Sequence, residues 1–293
     1  MKVGIVGLGR MGAAMSQRLR EQGFDVVGWD HKAAINQALG AGGLRIAADA
    51  LTVAAYSEVV ISSITEDNGA RRIFSGPQGF LEADVTGKLF IEMSTLQPMT
   101  GRALAPLVEQ KGAELIEAPV LGTIPHARSG TLLAMVGGTA EALERARPVL
   151  GKLAGRIVHM GPSGSGYAMK LAANLGLGAY IQALAESLAL GVQQGLSIDK
   201  MLDVLQEGPY ASGWLKAKIG VLKGEEAELS LDIRTLRKDL MSAVATGALC
   251  GVSMPLSAGT LASLSAAVAG DYGDADLAEL PKFVREAMLQ NFR

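Results

Sequence analysis

Cysteine is almost missing from this 293-residue chain, Cys250 being the single one. One thiol excludes an intramolecular disulfide and fits a reducing compartment. Histidine is nearly as scarce: His31, His126 and His159 lie far apart. With one cysteine they give no metal-ligand spacing, and no metal is expected. Aromatic residues form only 4% of the chain, and neither sign of charge dominates, with 27 Lys and Arg against 29 Asp and Glu. That balance excludes the basic footprint of a nucleic-acid binder and the polybasic patch of a membrane-surface protein. A clean bilayer-spanning run is also lacking. The most apolar long segment, residues 171–192, is interrupted by Asn174, Gln182, Glu186 and Ser187, and reads as a buried helix. Residues 2–8 are apolar but short and glycine-rich, a first strand rather than a signal peptide. The expected address is the cytoplasm, with neither nucleic acid nor membrane as partner.

What is present is enough apolar material, 49% of residues, to build two modest domains. The first half alternates short β-branched runs with helical stretches. Strands are predicted over 2–6, 25–29, 45–47, 58–62, 88–92, 114–117, 132–136 and 156–159. Helices are predicted over 10–22, 33–39, 98–111 and 140–150. Such alternation means βαβ units and a mostly parallel sheet. The breaker-rich run Gly161-Pro162-Ser163-Gly164-Ser165-Gly166 marks a change of character. Beyond it the spacing predicts helices only, over 165–194, 198–206, 211–222, 232–249, 255–268 and 279–290. The expected fold is therefore α/β: an N-terminal Rossmann-type doubly wound parallel sheet over 1–162, followed by an all-α domain over 163–293. The first helix of that domain would run about thirty residues, or roughly 45 Å. A helix so long and apolar needs cover on most of its surface, so a homodimer or homotetramer is expected.

Gly7-Leu8-Gly9-Arg10-Met11-Gly12 forms a G-x-G-x-x-G pattern between a predicted strand and a predicted helix. In that context the first glycine permits a tight turn and the second lets backbone approach a pyrophosphate. The third lets helix and strand pack closely, and the helix N-terminus faces the anion. An acidic residue is then expected about twenty residues on, and Asp30 ends the second strand. Its carboxylate would bind the ribose hydroxyls of NAD and repel a 2'-phosphate. The alternative is a solvated turn carboxylate, and the neighbouring His31 and Lys32 leave NADP open.

Lys170 and Asn174 are four apart, so they share one face of the long helix. A lysine among apolar residues is costly unless paired or functional. Partial desolvation would favour its neutral form and suit a proton shuttle. The other reading is a first-turn lysine reaching out to water. Spacing alone leaves both open.

Several motifs in one order resemble the β-hydroxyacid dehydrogenase family, which includes 3-hydroxyisobutyrate dehydrogenases and tartronate semialdehyde reductases. The resemblance runs nearly the whole length. The glycine loop is similar to the family's cofactor loop, and Glu92-Met93-Ser94-Thr95-Leu96-Gln97-Pro98 to its segment beside the nicotinamide. Ala118-Pro119-Val120, with Gly130-Thr131-Leu132 and Met135-Val136-Gly137-Gly138, resembles the substrate loop and the strand after it. Residues 164–174 resemble the catalytic helix, and Lys238-Asp239-Leu240 a later motif. The resemblance implies that Lys170 is the general acid/base and that Asn174 holds the reacting oxygen. It implies that Ile64, Thr65, Ser94 and Thr95 contact the cofactor, and that Lys238 lies near nicotinamide and substrate. It also implies a helical domain that pairs with a partner subunit, the cleft lying between the domains.

Two departures stand out. Where the family usually carries Ser-Gly-Gly after Pro-Val, to hold a substrate carboxylate, this chain has Leu121-Gly122-Thr123. The substrate loop thus loses a hydroxyl at its first position and gains one at its third. Ala173 stands where relatives often have asparagine. Among remaining candidates, His126 reads as a solvated loop residue, with substrate contact as the alternative, and Arg71-Arg72 as helix surface. Tyr210, Ser212 and Trp214 read either as core or as cover for the substrate. The expected activity is hydride transfer between NAD(H), with NADP not excluded, and a small 3-hydroxy acid or its semialdehyde. The rivals are an imine reductase, which usually replaces the lysine, and a dinucleotide-binding module without turnover.

Overall fold

The computed structural model describes residues 1–226 and 228–290. Contacts divide the chain into two compact units, Met1–Leu171 and Ala172–Arg293. The first contains β1 (Lys2–Val6), α1 (Arg10–Glu21), β2 (Asp25–Trp29), α2 (Ala33–Ala41), β3 (Arg45–Ile46), α3 (Ala50–Tyr56), β4 (Val59–Ser62) and α4 (Asp67–Ser75). It continues with β5 (Leu89–Glu92), α5 (Pro98–Glu109), β6 (Glu114–Glu117), β7 (Val120–Leu121), α6 (Ile124–Ser129), β8 (Leu132–Gly137), α7 (Ala140–Leu153) and β9 (Ala154–Gly161). The helix α8 (Ser165–Gln193) follows, then α9 (Ile198–Leu205), α10 (Gly213–Leu222), α11 (Ile233–Leu249), α12 (Pro255–Ala269) and α13 (Leu280–Gln290).

Among the described residues the strands form one sheet of nine, ordered β3-β2-β1-β4-β5-β6-β8-β7, with β9 beside β8. The run from β3 to β6 is parallel; β8 turns antiparallel to β6 and β7. Period-two alternation buries both faces, as a sheet flanked by helices requires. Val3, Ile5, Ile61, Leu89 and Ile91 pack on one side with Met15 and Leu19 of α1 and with α7. Val6, Val60 and Phe90 pack on the other with Val53 of α3, Phe74 of α4 and Leu104 of α5. The strand order reverses between β1 and β4, and in open α/β sheets ligands bind beyond the strand C-termini at that point.

The second unit is built on Ile181, Leu184 and Leu188 of α8, packed with Leu202, Leu215, Leu236, Leu240 and Leu264. By length and composition α8 could cross a bilayer, but these leucines sit in a protein core. Beyond Gly161 the described residues show no strand, only an isolated bridge between Asp232 and Asp276.

Four elements lay outside the periodicity reading: α3, α4, β7 and α6. Each is short, six to nine residues for the helices and two for the strand, which gives a hydrophobic period few repeats, although α2 at nine residues and α9 at eight were legible. Local chemistry makes them. Asp49 caps α3 by accepting from Thr52 N at 2.7 Å, and Gly130 ends α6 in the left-handed conformation at φ 73°.

Candidate active site

The glycine loop joins β1 to α1, and its three glycines answer different constraints. Gly7 has φ +89°, and a Cβ there would stand 2.1 Å from the Ser63 carbonyl oxygen. A Cβ on Gly12 would stand 1.9 Å from the Gly7 carbonyl oxygen. These two close the turn against the β4 loop and let α1 approach β1. A Cβ on Gly9 would meet nothing within 4 Å, so its glycine answers no intramolecular crowding. Gly9 also caps α1 without a side-chain hydrogen bond, and the first turn carries no acidic residue. An exposed Gly9 and Arg10, a half-buried Met11 and an uncapped helix N-terminus make an open anion cradle. A dinucleotide pyrophosphate fits that donor set.

Asp30 is not a solvated turn residue, being 5% exposed. One carboxylate oxygen accepts from Leu8 N at 2.8 Å and the other from Lys32 N at 2.9 Å. The Asn36 side chain brackets its backbone, Oδ1 accepting from Asp30 N at 2.8 Å and Nδ2 donating to Asp30 O at 2.7 Å. Asp30 therefore ties the end of β2 to the glycine loop; His31 Nδ1 also lies 3.2 Å from Oδ1, and Oδ2 keeps a second lone pair.

The loops after β4 and β5 meet the glycine loop on the same edge. Ile64 Cγ2 would lie 3.1 Å from a Cβ on Gly7, and Ile64 N donates to Ser94 Oγ at 2.8 Å. Thr65 is exposed and Thr95 half-buried. The Ser94 hydroxyl is buried and committed to its own protein, accepting from Ile64 and donating to Glu92. Its backbone N–H is spent as well, donating to Glu92 Oε2 at 3.1 Å, so both Ser94 donors are engaged within the protein.

Leu121 ends β7, Gly122 has φ +136°, and Thr123 caps α6. Thr123 N donates to His126 Nδ1 at 3.2 Å, and its hydroxyl lies 2.9 Å from the same nitrogen. His126 thus caps a helix, and the Thr123 amide is engaged within the loop.

Lys170, half-buried, sits in the second turn of α8. Glu117, at the end of β6, holds the start of that helix. It accepts from Ser163 Oγ at 2.8 Å, from Gly164 N, and from Tyr167 N at 3.4 Å. A carboxylate there complements the helix dipole. Burial pushes the Glu117 carboxyl above its ordinary value, with the bonds from Ser163 and Gly164 opposing. Glu92, at the end of β5, is fully buried, and burial pushes it up to about 7 against bonds from Ser94, Tyr167 and Ser62. Tyr167 Oη donates to Glu92 at 2.6 Å. Burial, then the Glu92 charge, hold the phenol well above its ordinary value, so it stays a donor.

In the second unit Asn174, 3% exposed, donates through Nδ2 to Asp239 Oδ2 at 2.6 Å. Asp239 Oδ1 lies 2.7 Å from Lys238 Nζ. Asn174, Lys238 and Asp239 thus form one polar group, with Asn174 and Asp239 buried and Lys238 partly exposed, and Asn174 follows Lys170 by one turn of α8.

Glu92, Glu117, Tyr167 and Asp239 carry this geometry and were not singled out from sequence. A signal existed for Glu92, which closes an otherwise apolar strand; Glu117 closes one that also opens on a carboxylate, Glu114. Of the aromatic cluster, Ser212 caps α10 by accepting from Leu215 N at 3.0 Å, and Trp214 packs edge-on against Tyr180. Tyr210 is exposed. Among the described residues no group of His, Cys, Asp and Glu is arranged to hold a metal.

Known proteins carry the same two-part pattern. Residues 2–161 match the family described as the NAD binding domain of 6-phosphogluconate dehydrogenase, and residues 164–284 that described as NAD-binding of NADP-dependent 3-hydroxyisobutyrate dehydrogenase. A 3-hydroxyisobutyrate dehydrogenase of Pseudomonas aeruginosa is 34% identical over 97% of this chain and 98% of its own. The chain belongs to the β-hydroxyacid dehydrogenase family. A 2-(hydroxymethyl)glutarate dehydrogenase of Eubacterium barkeri is 32% identical to this dehydrogenase over 88% of this chain and 86% of that one. The solved 3-hydroxyisobutyrate dehydrogenase of Mycobacterium tuberculosis, described with L-serine, has a TM-score of 0.85 and 29% identity over 97% of this chain and 99% of that one. This β-hydroxyacid dehydrogenase is thus an NAD(P)-dependent oxidoreductase acting on a small hydroxy acid or its carbonyl counterpart.

Proposed function

We propose that this enzyme moves a hydride between NAD(H) and a small 3-hydroxy acid or the matching semialdehyde, with Lys170 as general acid/base. The observation that carries the reading is the pairing of Lys170 and Asn174 one turn apart on α8, with the Asn174 amide held by Asp239 at 2.6 Å. One amide hydrogen is spent on Asp239, which leaves the other for a substrate oxygen. When bound, the nicotinamide supplies or accepts the hydride. In the reducing direction Lys170 Nζ gives a proton to the carbonyl oxygen; in the oxidising direction it takes the hydroxyl proton. Lys238 borders both cofactor and substrate, and Leu121, Gly122 and Thr123 border the substrate. With Leu121 apolar and the Thr123 amide engaged by His126, that loop favours a substrate needing little hydrogen bonding there. Gly7, Leu8, Gly9, Arg10, Met11 and Gly12 cradle the pyrophosphate, with Ile64, Thr65, Ser94 and Thr95 toward the nicotinamide. The Asp30 carboxylate supports NAD over NADP.

A homo-oligomer in the cytoplasm completes the proposal. The helical unit exposes Leu190, Leu196, Leu249 and Leu256, which supports a second copy as cover. The deciding experiment combines Lys170→Ala with a panel of hydroxy acids and semialdehydes, each tried with NAD and NADP. Turnover should fall by about 10²-fold or more while NADH binding persists. Near-normal turnover in that variant would remove Lys170 from the role.

A further inference from the structure

The Glu92 carboxylate collects donors from three segments of the first unit. Its Oε1 accepts from Ser62 Oγ at 3.2 Å, at the end of β4, and from Ser94 Oγ, in the loop after β5. Its Oε2 accepts from Ser94 N at 3.1 Å and from Tyr167 Oη at 2.6 Å. Ser94 Oγ in turn accepts from Ile64 N, extending the chain to the loop after β4. Tyr167 is fully buried and lies three residues before Lys170 on α8. The surroundings leave little room for slack. A Cβ on Gly101 of α5 would stand 2.2 Å from Glu117 and 2.8 Å from the Tyr167 ring. A Cβ on Gly166 would stand 2.6 Å from the Met135 carbonyl oxygen. The first turn of α8 is therefore wedged, and a hydroxyl on an otherwise apolar ring is spent on one carboxylate.

We propose that Glu92, acting through Tyr167, is a positioning residue that fixes the lysine-bearing turn of α8 relative to the Ile64 and Ser94 loops. The inference rests on the reading of Lys170 as acid/base and of those two loops as nicotinamide-facing. Phenylalanine at 167 would fill the same space, so packing alone gives no reason for the hydroxyl. A carboxylate serving only to cap a loop would need Ser94 and not a donor from α8. Misplacing an acid/base by a fraction of an ångström lowers the rate without removing the group.

Tyr167→Phe tests this, with Glu92→Gln as a second variant that keeps the volume. Two readouts are taken on the full chain. In turnover with the best substrate of the panel, kcat should fall about tenfold with NADH affinity and KM unchanged. In competitive acetylation read by mass spectrometry, the reactivity of Lys170 relative to Lys152 should change about threefold or more. If the two residues act through one bond, the double variant should be no worse than the worse single one. Unchanged kcat and unchanged Lys170 reactivity in both variants would overturn the proposal. So would a fall in NADH affinity in step with kcat, which marks a general structural role. Should Lys170→Ala itself keep its turnover, the acid/base reading fails, and the acetylation readout still decides whether Glu92 and Tyr167 govern the lysine's surroundings.

Discussion

The backbone N–H of Leu8 donates a 2.8 Å hydrogen bond to the carboxylate of Asp30, twenty-two residues away. One carboxylate thus serves the loop it supports and, in the proposed function, the ribose that the loop would hold. The two roles separate by substitution. Asp30→Asn keeps an oxygen for Leu8 N but removes the charge. NADP use relative to NAD should then rise about tenfold or more, with a loss of about 1 kcal/mol because Lys32 N gives up its acceptor. Asp30→Ala leaves the Leu8 N–H without its acceptor and should cost about 1–3 kcal/mol as well. Comparing kcat/KM for both cofactors with the urea midpoint distinguishes them. An unaltered cofactor ratio in Asp30→Asn would confine Asp30 to structure.

The glycines of the loop make a second contrast. Gly9→Ala adds a methyl group that meets no protein atom within 4 Å, at φ −59°, which any residue adopts. Its Tm should match the parent's while NADH affinity falls about tenfold, because the methyl occupies the cradle. Gly12→Ala drives its methyl onto the Gly7 carbonyl oxygen and should cost about 1–3 kcal/mol or more. Thermal denaturation with and without NADH reads both. Unchanged NADH binding in Gly9→Ala would mean the cradle holds something else.

The contrast also explains what could be read in the sequence. The glycine spacing, the strand before it and Asp30 at the next strand end express a local rule, and they were legible. So were the long elements, whose periods repeat often enough to register. Glu92 and Glu117 were harder. Each is the fourth and last residue of its strand, but their partner Tyr167 lies seventy-five and fifty residues farther on. Nothing local pairs two strand-end carboxylates with the phenol and the backbone N–H of one residue in a distant helix. His126 is solvent-exposed, as read; what the sequence did not show is that it caps α6 together with Thr123. Asp239 stood beside a lysine singled out by resemblance, and only the packing of α8 against α11 shows that it holds Asn174.

Glu92 should leave a mark on stability. Burial lifts its carboxyl from an ordinary 4.5 to about 7, so the folded state binds this proton more tightly than the unfolded chain does. The associated stability is fully present below pH 4.5 and is lost as pH rises to about 7, at most roughly 3 kcal/mol in all. Glu117, also raised, acts in the same direction. Glu92→Gln should flatten the fall between pH 5 and 7.5 without abolishing it. Urea denaturation across that window measures the slope. A slope equal to the parent's would mean that other groups carry the dependence.

The ion pair of the helical unit should behave in the opposite sense. Lys218 of α10 donates to Asp276 at 2.7 Å, both side chains being less than one-tenth exposed. Asp276 also accepts from Ser230 N at 3.0 Å, Ser230 Oγ at 3.2 Å and Ala278 N at 3.0 Å. Burial alone would raise its carboxyl, but the bonds from Lys218, Ala278 and Ser230 outweigh that and hold it below its ordinary value. The stability it contributes is therefore present at neutral pH and lost in acid, as pH falls below 3.8 through the lowered value. The two partners are not equivalent. Asp276→Ala strands a buried ammonium and three other donors, and should cost about 3–5 kcal/mol. Lys218→Met leaves a carboxylate still held by Ser230 and Ala278, and should cost about 1–3 kcal/mol. Once Asp276 is gone, Lys218 has lost its counter-charge. Adding Lys218→Met to Asp276→Ala should therefore recover part of the loss, because it removes an unpaired buried charge. Urea unfolding of the two single variants and the double variant completes the cycle. Simple additivity would show that the pair does not act as a unit and that the hydrogen bonds to Ser230 and Ala278 carry the site.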